Sequence, residues 1–218
     1  MSSVNPHYTF QYSQPDDYHY SHDSVFLARE VFKLIKNQKI RCESILDLCA
    51  GCGVVGMDLL VHLSKDPQTS NSVNAIDFLE IQSVYMEHFE ANKQTLEKLL
   101  PRLANIHFLN GNYNEITAQS KKYDLIISNP PYFRFGHGTL SSSEFKNRCR
   151  FFIDANFRSL LECISFSLKS DGRAYILLKS LARHGIDIKS ELAGFQLNLN
   201  IRHIGLVRET DFYEISLH

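Results

Sequence analysis

The chain has 218 residues, of which 44% are hydrophobic and 22% are charged. This apolar content excludes a disordered chain, and the length predicts one large domain with a short appendage. The 23 basic and 24 acidic residues leave a formal charge of -1, which excludes a net electrostatic field that would draw the whole chain onto a nucleic acid or a membrane. A polyanion would therefore have to be bound by a local patch of charge.

Membrane and metal sites are not expected. No apolar run approaches the ~18–20 residues that cross a bilayer, and the first residues have neither the basic start nor the apolar block of a signal peptide. The five cysteines are an odd number and too sparse for a disulfide framework. No pair among the ten histidines combines metal-ligand spacing with a supporting acid. We therefore expect a cytoplasmic protein with reduced thiols, no membrane partner and no metal site.

The chain begins with a segment unlike the rest. Residues 1–21 are rich in Tyr, His, Gln and Asp and predict an extended arm. From Asp23 onward apolar residues recur every three or four positions, which predicts a helix with Ser21 or Asp23 as its N-cap. We assign residues 1–40 to this arm and helix and residues 41–218 to the main domain.

Short apolar runs then alternate with amphipathic stretches. Near-continuous apolar strands that are separated by helices are typical of a parallel sheet covered on both faces. The sequence therefore predicts a doubly wound α/β domain with a mostly parallel sheet and a C-terminal antiparallel hairpin. The predicted strands are 44–48, 73–80, 106–110, 123–128 and 173–179, with a hairpin from 195–209 and 211–218, and the predicted helices are 53–64, 81–100 and 142–169, the last ending at Asp171-Gly172.

A glycine-rich turn follows the first strand. Gly51, Gly53 and Gly56 spell G-x-G-x-x-G, a pattern that lets a ligand approach the backbone at a helix N-terminus. Asp47 at the strand end would disfavour a pyrophosphate, whereas a ligand with an amino group and a sulfonium fits better. The segment resembles motif I of the S-adenosylmethionine-dependent methyltransferases, which implies cofactor contacts from Asp47, Ala50, Gly51 and Gly53. A simple tight turn, NAD(P) binding and a dithiol at the two cysteines of this turn are the alternatives at this point.

Two acids near the end of the second strand compete for the ribose of such a cofactor. A carboxylate there can accept hydrogen bonds from both hydroxyls. Glu80-Ile81-Gln82, followed by Asn92, resembles a methyltransferase pattern and favours Glu80 over Asp77, with the other acid expected at the start of the next helix. After the third strand, Asn112 is a candidate contact to the adenine, unless Asn110-Gly111 is only a turn.

The tetrapeptide Asn129-Pro130-Pro131-Tyr132 directly follows the fourth strand. Two prolines hold the loop rigid and leave its carbonyls free to accept hydrogen bonds. The Asn129 carboxamide oxygen and the Pro130 carbonyl can together accept both N–H bonds of a planar amine, and Tyr132 offers a flat face for a base. The segment resembles motif IV of methyltransferases that act on planar amide or amine nitrogens, which makes these three residues catalytic candidates and places Asn129 against the cofactor as well.

The same tetrapeptide is found in enzymes that methylate adenine N6 and in enzymes that methylate glutamine N5. Enzymes that methylate release-factor glutamine carry a separate N-terminal helical domain, whereas here one arm and one helix precede the first strand. Residues 14–28 resemble the opening of the bacterial family that N6-methylates adenine 37 in a valine tRNA, although His19 stands where that family commonly has a basic residue and no glycine precedes Tyr18. This resemblance implies a Rossmann-like class I methyltransferase.

A basic and aromatic segment follows the tetrapeptide. Arginines beside flat rings at the mouth of a site would meet phosphates and flanking bases; a solvated helix face over core phenylalanines is the alternative. The expected activity is S-adenosylmethionine-dependent methylation of adenine N6 in RNA, with tRNA favoured. The alternatives are glutamine N5 in a release factor, adenine in rRNA or DNA, and a non-catalytic, cofactor-binding RNA chaperone. The candidate substrate contacts are Phe133, Arg134, Phe135, Arg148 and Arg150.

Overall fold

Helices and strands alternate along the chain as the hydrophobic pattern predicts. The computed structural model describes residues 9–117, 119–136, 139–179, 186–187, 190 and 198–218. The helices are α1 (His22–Gln38), α2 (Val54–Lys65), α3 (Tyr85–Leu99), α4 (Glu144–Arg150) and α5 (Phe157–Ser167), with a 3-10 turn at Tyr113–Glu115. The strands are β1 (Ser44–Leu48), β2 (Ala75–Glu80), β3 (Asn105–Asn110), β4 (Tyr123–Ser128), β5 (Phe133–Arg134), β6 (Phe151–Phe152), β7 (Leu168–Leu178), β8 (Leu199–Val207) and β9 (Thr210–Leu217).

Seven of these strands form one sheet in the order β3-β2-β1-β4-β7-β9-β8. The first five are mutually parallel, and β9 pairs antiparallel with both β7 and β8. The predicted α/β architecture, with its antiparallel C-terminal hairpin, is therefore confirmed. The strand order reverses between β1 and β4, and in such sheets the crevice outside the carboxyl ends at that point is where ligands bind.

Burial on both faces explains why the central strands read as continuous apolar runs. All six residues of β4 are buried, and β1 is buried from Ile45 to Leu48. Because side chains alternate along a strand, Ile45 joins the core beneath α1, α2 and α3, whereas Leu46 and Leu48 join the core beneath α5. None of the described helices is long and apolar enough to span a membrane.

The single helix predicted over 142–169 is wrong. The segment contains α4, the short strand β6 and α5, because Phe151 pairs with Phe133 of β5 and Asn156 begins a new helix by accepting a hydrogen bond from Ser159 N at 2.9 Å. Gly172, expected at a helix end, lies inside β7. A Cβ at Gly172 would lie 3.0 Å from the carbonyl oxygen of Tyr123, so a residue without a side chain lets the strands approach.

The remaining differences concern element ends. The second strand begins at Ala75 and the helix after it spans Tyr85–Leu99. Ser21, one of the two predicted candidates, is the N-cap of α1. Residues 195–197 of the predicted hairpin lie outside the described residues, and the described β8 begins at Leu199.

The arm before α1 is held on the domain at two buried polar side chains. The first is Asp58 of α2, which is fully buried. Its Oδ1 accepts hydrogen bonds from the hydroxyls of Thr9 and Tyr12, the latter at 3.1 Å, and its Oδ2 lies 3.3 Å from His62 Nε2. Burial, followed by the Asp58 charge, raises the pKa of Tyr12, so the phenol remains a donor to this carboxylate.

The second attachment is Asn92 of α3, which is 1% exposed. Its Oδ1 accepts from Ser13 N at 2.6 Å, and its Nδ2 donates to Ser13 O at 2.9 Å. The same Nδ2 donates to the carbonyl of Cys52 at 2.9 Å. One side chain therefore joins the arm to the glycine-rich turn between β1 and α2.

Candidate functional site

A cavity of about 340 Å³ opens at the carboxyl ends of β1, β2 and β4. Its floor comes from the glycine-rich turn, its sides from the loops after β2, β3 and β4, and one wall from the arm. The position matches the reversal of strand order in the sheet, where the loops of neighbouring strands diverge. The arm contributes Gln14, Tyr18, Tyr20 and Ser21, and the first turn of α1 contributes Ser24.

The glycine-rich turn presents backbone to this cavity. Ala50 and Gly51 line it, whereas Gly53 lies below as the N-cap of α2. Gly53 has φ of 86°, in the left-handed region, and a Cβ there would lie 2.9 Å from Met57 Cε and 3.0 Å from the Phe89 ring. Gly53 therefore serves the tight turn and its packing, and a direct cofactor contact from this residue stays a prediction.

Asp47 lies below the cavity. The side chain is 1% exposed, and its Oδ2 accepts from Gly56 N at 2.8 Å. Its Oδ1 has no hydrogen-bond partner among the described residues. Burial raises the pKa of this carboxyl well above its ordinary value, and the Glu80 charge adds to the effect. A buried carboxylate oxygen without a partner is costly, so a donor or a positive charge near Oδ1 would lower the free energy of this site.

The structure separates the two candidate acids of β2. Glu80 lines the cavity, and its carboxylate accepts from Gly51 N and Gln82 N, both at 2.9 Å. Burial raises its pKa, against the lowering by these N–H groups. Glu80 thus holds the glycine-rich turn and faces the cavity.

Asp77 does not line the cavity. It lies inside β2, not at the start of the next helix as expected, and it binds His107 Nδ1 at 2.8 Å, Lys121 Nζ at 2.7 Å and the Tyr123 hydroxyl at 2.7 Å. Burial alone would raise its pKa, but these partners together lower it. Asp77 therefore joins β2 to β3 and to the start of β4.

Asn112 lines the cavity, but its amide is already bonded within the protein. Its Oδ1 accepts from Asn114 N at 3.0 Å, and its Nδ2 donates to Asp154 O at 3.1 Å. The side chain therefore caps the 3-10 turn and ties it to the segment before α5. Its expected contact to an adenine stays a prediction.

The tetrapeptide at the end of β4 faces the cavity across from Glu80, with all four residues in its lining. Asn129 Nδ2 donates to Ser24 Oγ at 2.9 Å, and Asn129 Oδ1 accepts from the Tyr132 hydroxyl. Tyr132 N donates to Arg150 O at 3.1 Å, which ties the loop to the last residue of α4. Burial raises the pKa of Tyr132, as does the nearby Asp23, so the phenol keeps its proton at neutral pH.

The basic and aromatic residues after the tetrapeptide divide into two groups. The Arg150 guanidinium carbon lies 5.4 Å from the ring centroids of both Phe133 and Phe151, and Arg150 and Phe133 line the cavity. Arg148 also lines it, bound to Glu144 at 3.3 Å and to Asp154 at 3.4 Å. The two remaining candidates, Arg134 and Phe135, are exposed and lie outside the cavity lining.

Several lining residues were not singled out from the sequence. Tyr18 and Tyr20 alternate with polar residues in the arm, a period of two that places both on one side. Tyr85 and Cys149 had no local signal, because they meet only in the fold, where the Tyr85 hydroxyl lies 3.2 Å from Cys149 Sγ. Burial raises the pKa of Cys149, so it is held as a thiol. Nowhere in the described ranges do three His, Cys, Asp or Glu side chains gather as metal ligands.

Comparison with known proteins connects this site to one family. The family model described as methyltransferase small domain matches residues 20–144, more than half of the chain. The match includes part of the arm, the glycine-rich turn, Glu80 and the tetrapeptide.

Two curated relatives and one solved structure are similar to the chain. A tRNA1(Val) (adenine(37)-N6)-methyltransferase of Escherichia fergusonii is 27% identical over 157 residues, 71% of this chain and 58% of the relative. A release factor glutamine methyltransferase of Fusobacterium nucleatum is 30% identical over 111 residues, 50% of this chain and 27% of the relative. The chain thus spans less than two thirds of either relative. An S-adenosylmethionine-dependent methyltransferase from Clostridium acetobutylicum shares the fold, with a TM-score of 0.58 at 9% identity over 88% of this chain and 91% of that one.

Proposed function

The chain belongs to the methyltransferase small domain family, and from this premise we propose that it transfers a methyl group from S-adenosylmethionine to adenine N6 in RNA, with tRNA as the favoured substrate. The observation that carries the proposal is the tetrapeptide Asn129 to Tyr132 at the end of β4, which shares one cavity with Glu80 and Gly51. The residues proposed to bind the cofactor and those proposed to bind a planar amine therefore line the same cavity.

The residues on the cofactor side fit S-adenosylmethionine. Glu80 is a buried carboxylate that faces the cavity with acceptor capacity beyond its two backbone partners, as two ribose hydroxyls require. Ala50 and Gly51 bring the backbone to the cavity surface. The unpartnered Asp47 Oδ1 beneath the turn favours a ligand with a cationic group. When bound, S-adenosylmethionine supplies a methyl group on a sulfonium, which needs no further activation.

The tetrapeptide can compensate for the weak nucleophilicity of the adenine amine. This nitrogen is a weak nucleophile because its lone pair is delocalised into the ring. Asn129 Oδ1 accepts one hydrogen bond from Tyr132 and keeps a second lone pair for an amine hydrogen, while the Pro130 carbonyl takes the other hydrogen. Both bonds turn the nitrogen towards tetrahedral geometry and aim its lone pair at the methyl group. The new N–C bond forms as the S–C bond breaks, and the proton leaves to water. The contribution of the protein is orientation and desolvation.

The mouth of the cavity favours a nucleic acid as the acceptor. Tyr132 and Phe133 offer flat surfaces, and stacking of a base on an aromatic ring contributes about 1–3 kcal/mol. Arg150 covers Phe133 and places a positive charge beside these rings. The resemblance to the tRNA enzyme also spans more of the chain than the resemblance to the release-factor enzyme.

Glutamine N5 in a protein is the second candidate. A glutamine carboxamide is also planar, and the release-factor enzyme has the higher identity of the two relatives, 30%. The same two acceptors, Asn129 Oδ1 and Pro130 O, would hold its NH2 group. Only the acceptor of the methyl group differs between the two proposals.

One labelling experiment separates them. The purified protein is incubated with methyl-labelled S-adenosylmethionine together with total tRNA or with a cell extract, and the RNA is digested to nucleosides. We expect label in N6-methyladenosine. Label only in protein would move the assignment to glutamine, and label in neither would refute methyl transfer to both acceptors.

Asn129→Ala serves as the active-site variant. It removes one of the two acceptors, and we expect transfer to fall at least a hundredfold, about the cost of removing one preorganised catalytic group, while the Kd for S-adenosylmethionine changes less than about twofold. Asn37→Ala, at an exposed asparagine near the end of α1, is the matched control. Retained transfer by Asn129→Ala would refute the role of this amide.

A further inference from the structure

We propose that Ser24 is a positioning residue that fixes which end of the Asn129 carboxamide faces the substrate. This inference rests on the proposed methyl transfer to a planar amine. Ser24 lies in the first turn of α1 and is 6% exposed. Its Oγ accepts the hydrogen bond from Asn129 Nδ2 at 2.9 Å across 105 positions of sequence.

The orientation of this amide decides whether the site can work. The oxygen and the NH2 group of an asparagine have nearly the same shape, and a half-turn of the amide exchanges them. With the oxygen towards the substrate, the amide accepts a hydrogen from the amine. With the NH2 group towards the substrate, two donors face each other and the amine is repelled. A reversed amide would therefore leave the cavity intact and abolish its chemistry.

The two hydroxyls that bind Asn129 select one orientation together. The phenol oxygen of Tyr132 shares its lone pairs with the ring, so it donates better than it accepts, and it donates to Oδ1. The aliphatic hydroxyl of Ser24 is the better acceptor, and it accepts the hydrogen bond from Asn129 Nδ2. Each partner is therefore matched to the end of the amide that it contacts.

The backbone around Ser24 is itself held in place. Ser24 N donates to Ser21 O at 3.1 Å. The adjacent Asp23 accepts from Thr210 Oγ1 at 2.8 Å, and its other carboxylate oxygen lies 3.4 Å from Arg208 Nε. The turn between β8 and β9 thus anchors the first turn of α1, which keeps the Ser24 hydroxyl at the cavity wall.

The first test compares three serine variants in steady-state methylation. Ser24→Ala removes the acceptor, and we expect kcat to fall about tenfold, the loss expected for one hydrogen bond, with unchanged KM for tRNA and unchanged Kd for S-adenosylmethionine. Ser24→Thr restores a hydroxyl and recovers kcat to within about threefold. Ser70→Ala, at an exposed loop serine, controls for the substitution. A fall in affinity without a fall in kcat, or no rescue by threonine, would overturn the proposal.

A change at position 129 distinguishes orientation from packing. Asn129→Asp places two equivalent oxygens there, so no wrong orientation exists and the serine is no longer needed to select one. We expect Ser24→Ala to lower the rate of the Asn129→Asp variant less than twofold in single-turnover reactions. A tenfold loss in that background would mean that Ser24 acts through packing and would refute the positioning role.

A spectroscopic readout does not depend on the substrate. In protein labelled with ¹⁵N-asparagine, the side-chain NH2 of Asn129 is assigned by its loss in Asn129→Asp. We expect its hydrogen exchange to accelerate at least tenfold in Ser24→Ala and to stay slow in Ser24→Thr. Unchanged exchange in Ser24→Ala would overturn the role of Ser24 alone, whereas absence of RNA methylation by the parent protein would overturn the proposed function alone.

Discussion

Asn92 offers the sharpest test of how the arm is attached to the domain. The side chain makes three hydrogen bonds, two with the backbone of Ser13 and one with the carbonyl of Cys52. A buried hydrogen bond contributes about 1 kcal/mol net, and the loss of one partner leaves the other group unsatisfied. Asn92→Ala therefore removes about 3 kcal/mol from the free energy of unfolding if the arm stays docked. If the arm detaches instead, water replaces the lost hydrogen-bond partners of Ser13. The free energy of global unfolding then falls less, and the effect of the substitution is a local opening of the arm.

Two measurements on the same variant separate these outcomes. Urea unfolding reports the global free energy, and hydrogen exchange of residues 9–20 reports the local opening. We expect faster exchange in the arm and weaker binding of S-adenosylmethionine, because Tyr18 and Tyr20 form one cavity wall. Gln94→Ala, at an exposed position of the same helix, is expected to change stability by less than about 0.5 kcal/mol.

Retention of both the urea midpoint and the slow exchange of the arm in Asn92→Ala would contradict an anchoring role of this amide. In that case the apolar contacts of the arm would hold it without the amide. Asn92→Asp refines the test, because it keeps the acceptor for Ser13 N but removes both donated hydrogen bonds. At pH 7 we expect it to destabilise the protein at least as much as Asn92→Ala, because a buried carboxylate oxygen would face the carbonyls of Ser13 and Cys52.

Three further predictions concern the mouth of the cavity and the base of the sheet. Tyr132→Ala should weaken tRNA binding about tenfold through lost stacking, whereas Tyr132→Phe should bind within twofold of the parent; filter binding measures both, and equal losses would contradict a stacking role. Arg150→Ala should reduce the slope of log affinity against log salt by about one, as for one lost phosphate contact, and an unchanged slope would exclude that contact. Asp124 is buried, which would raise its pKa, but Lys169 and Ser44 outweigh burial and lower it. Its stabilisation is therefore present above about pH 4 and lost on acidification. Asp124→Asn should lower the free energy of unfolding at pH 7, measured with urea. The difference in this free energy between variant and parent should become smaller at about pH 3. A difference that stays constant with pH would contradict an ionic origin of the stabilisation.

The fold was predictable because its signals are local. The strands of the parallel sheet are short apolar runs with turn residues after them, and β4 was predicted with both ends correct. The prediction of a single helix over 142–169 was wrong for a physical reason. Phe151 and Phe152 fit a helical period, and only their pairing with Phe133 and Arg134 in β5 makes them a strand.

The site was predictable where a motif is continuous in sequence. The glycine-rich turn and the tetrapeptide each occupy a few adjacent residues. The pattern that begins at Glu80 favoured Glu80 over Asp77 from the sequence, but the partners of Asp77 depend on the sheet register, which sets it opposite His107. The contacts of Ser24 with Asn129 and of Ser13 with Asn92 join distant positions, and no local pattern encodes them.

The small sheet of β5 and β6 has a consequence for how specificity can change. Its two strands carry the phenylalanines near Arg150 and stand apart from the seven-stranded sheet. Tyr132 is tied to this unit through the Arg150 carbonyl, whereas Glu80 and Gly51 belong to the main sheet and its turn. Under the proposed function, insertions and substitutions between β5 and α4 would therefore alter which acceptor enters while leaving Glu80 and Gly51 in place. One scaffold can in this way diversify towards several planar nitrogen acceptors in the course of evolution.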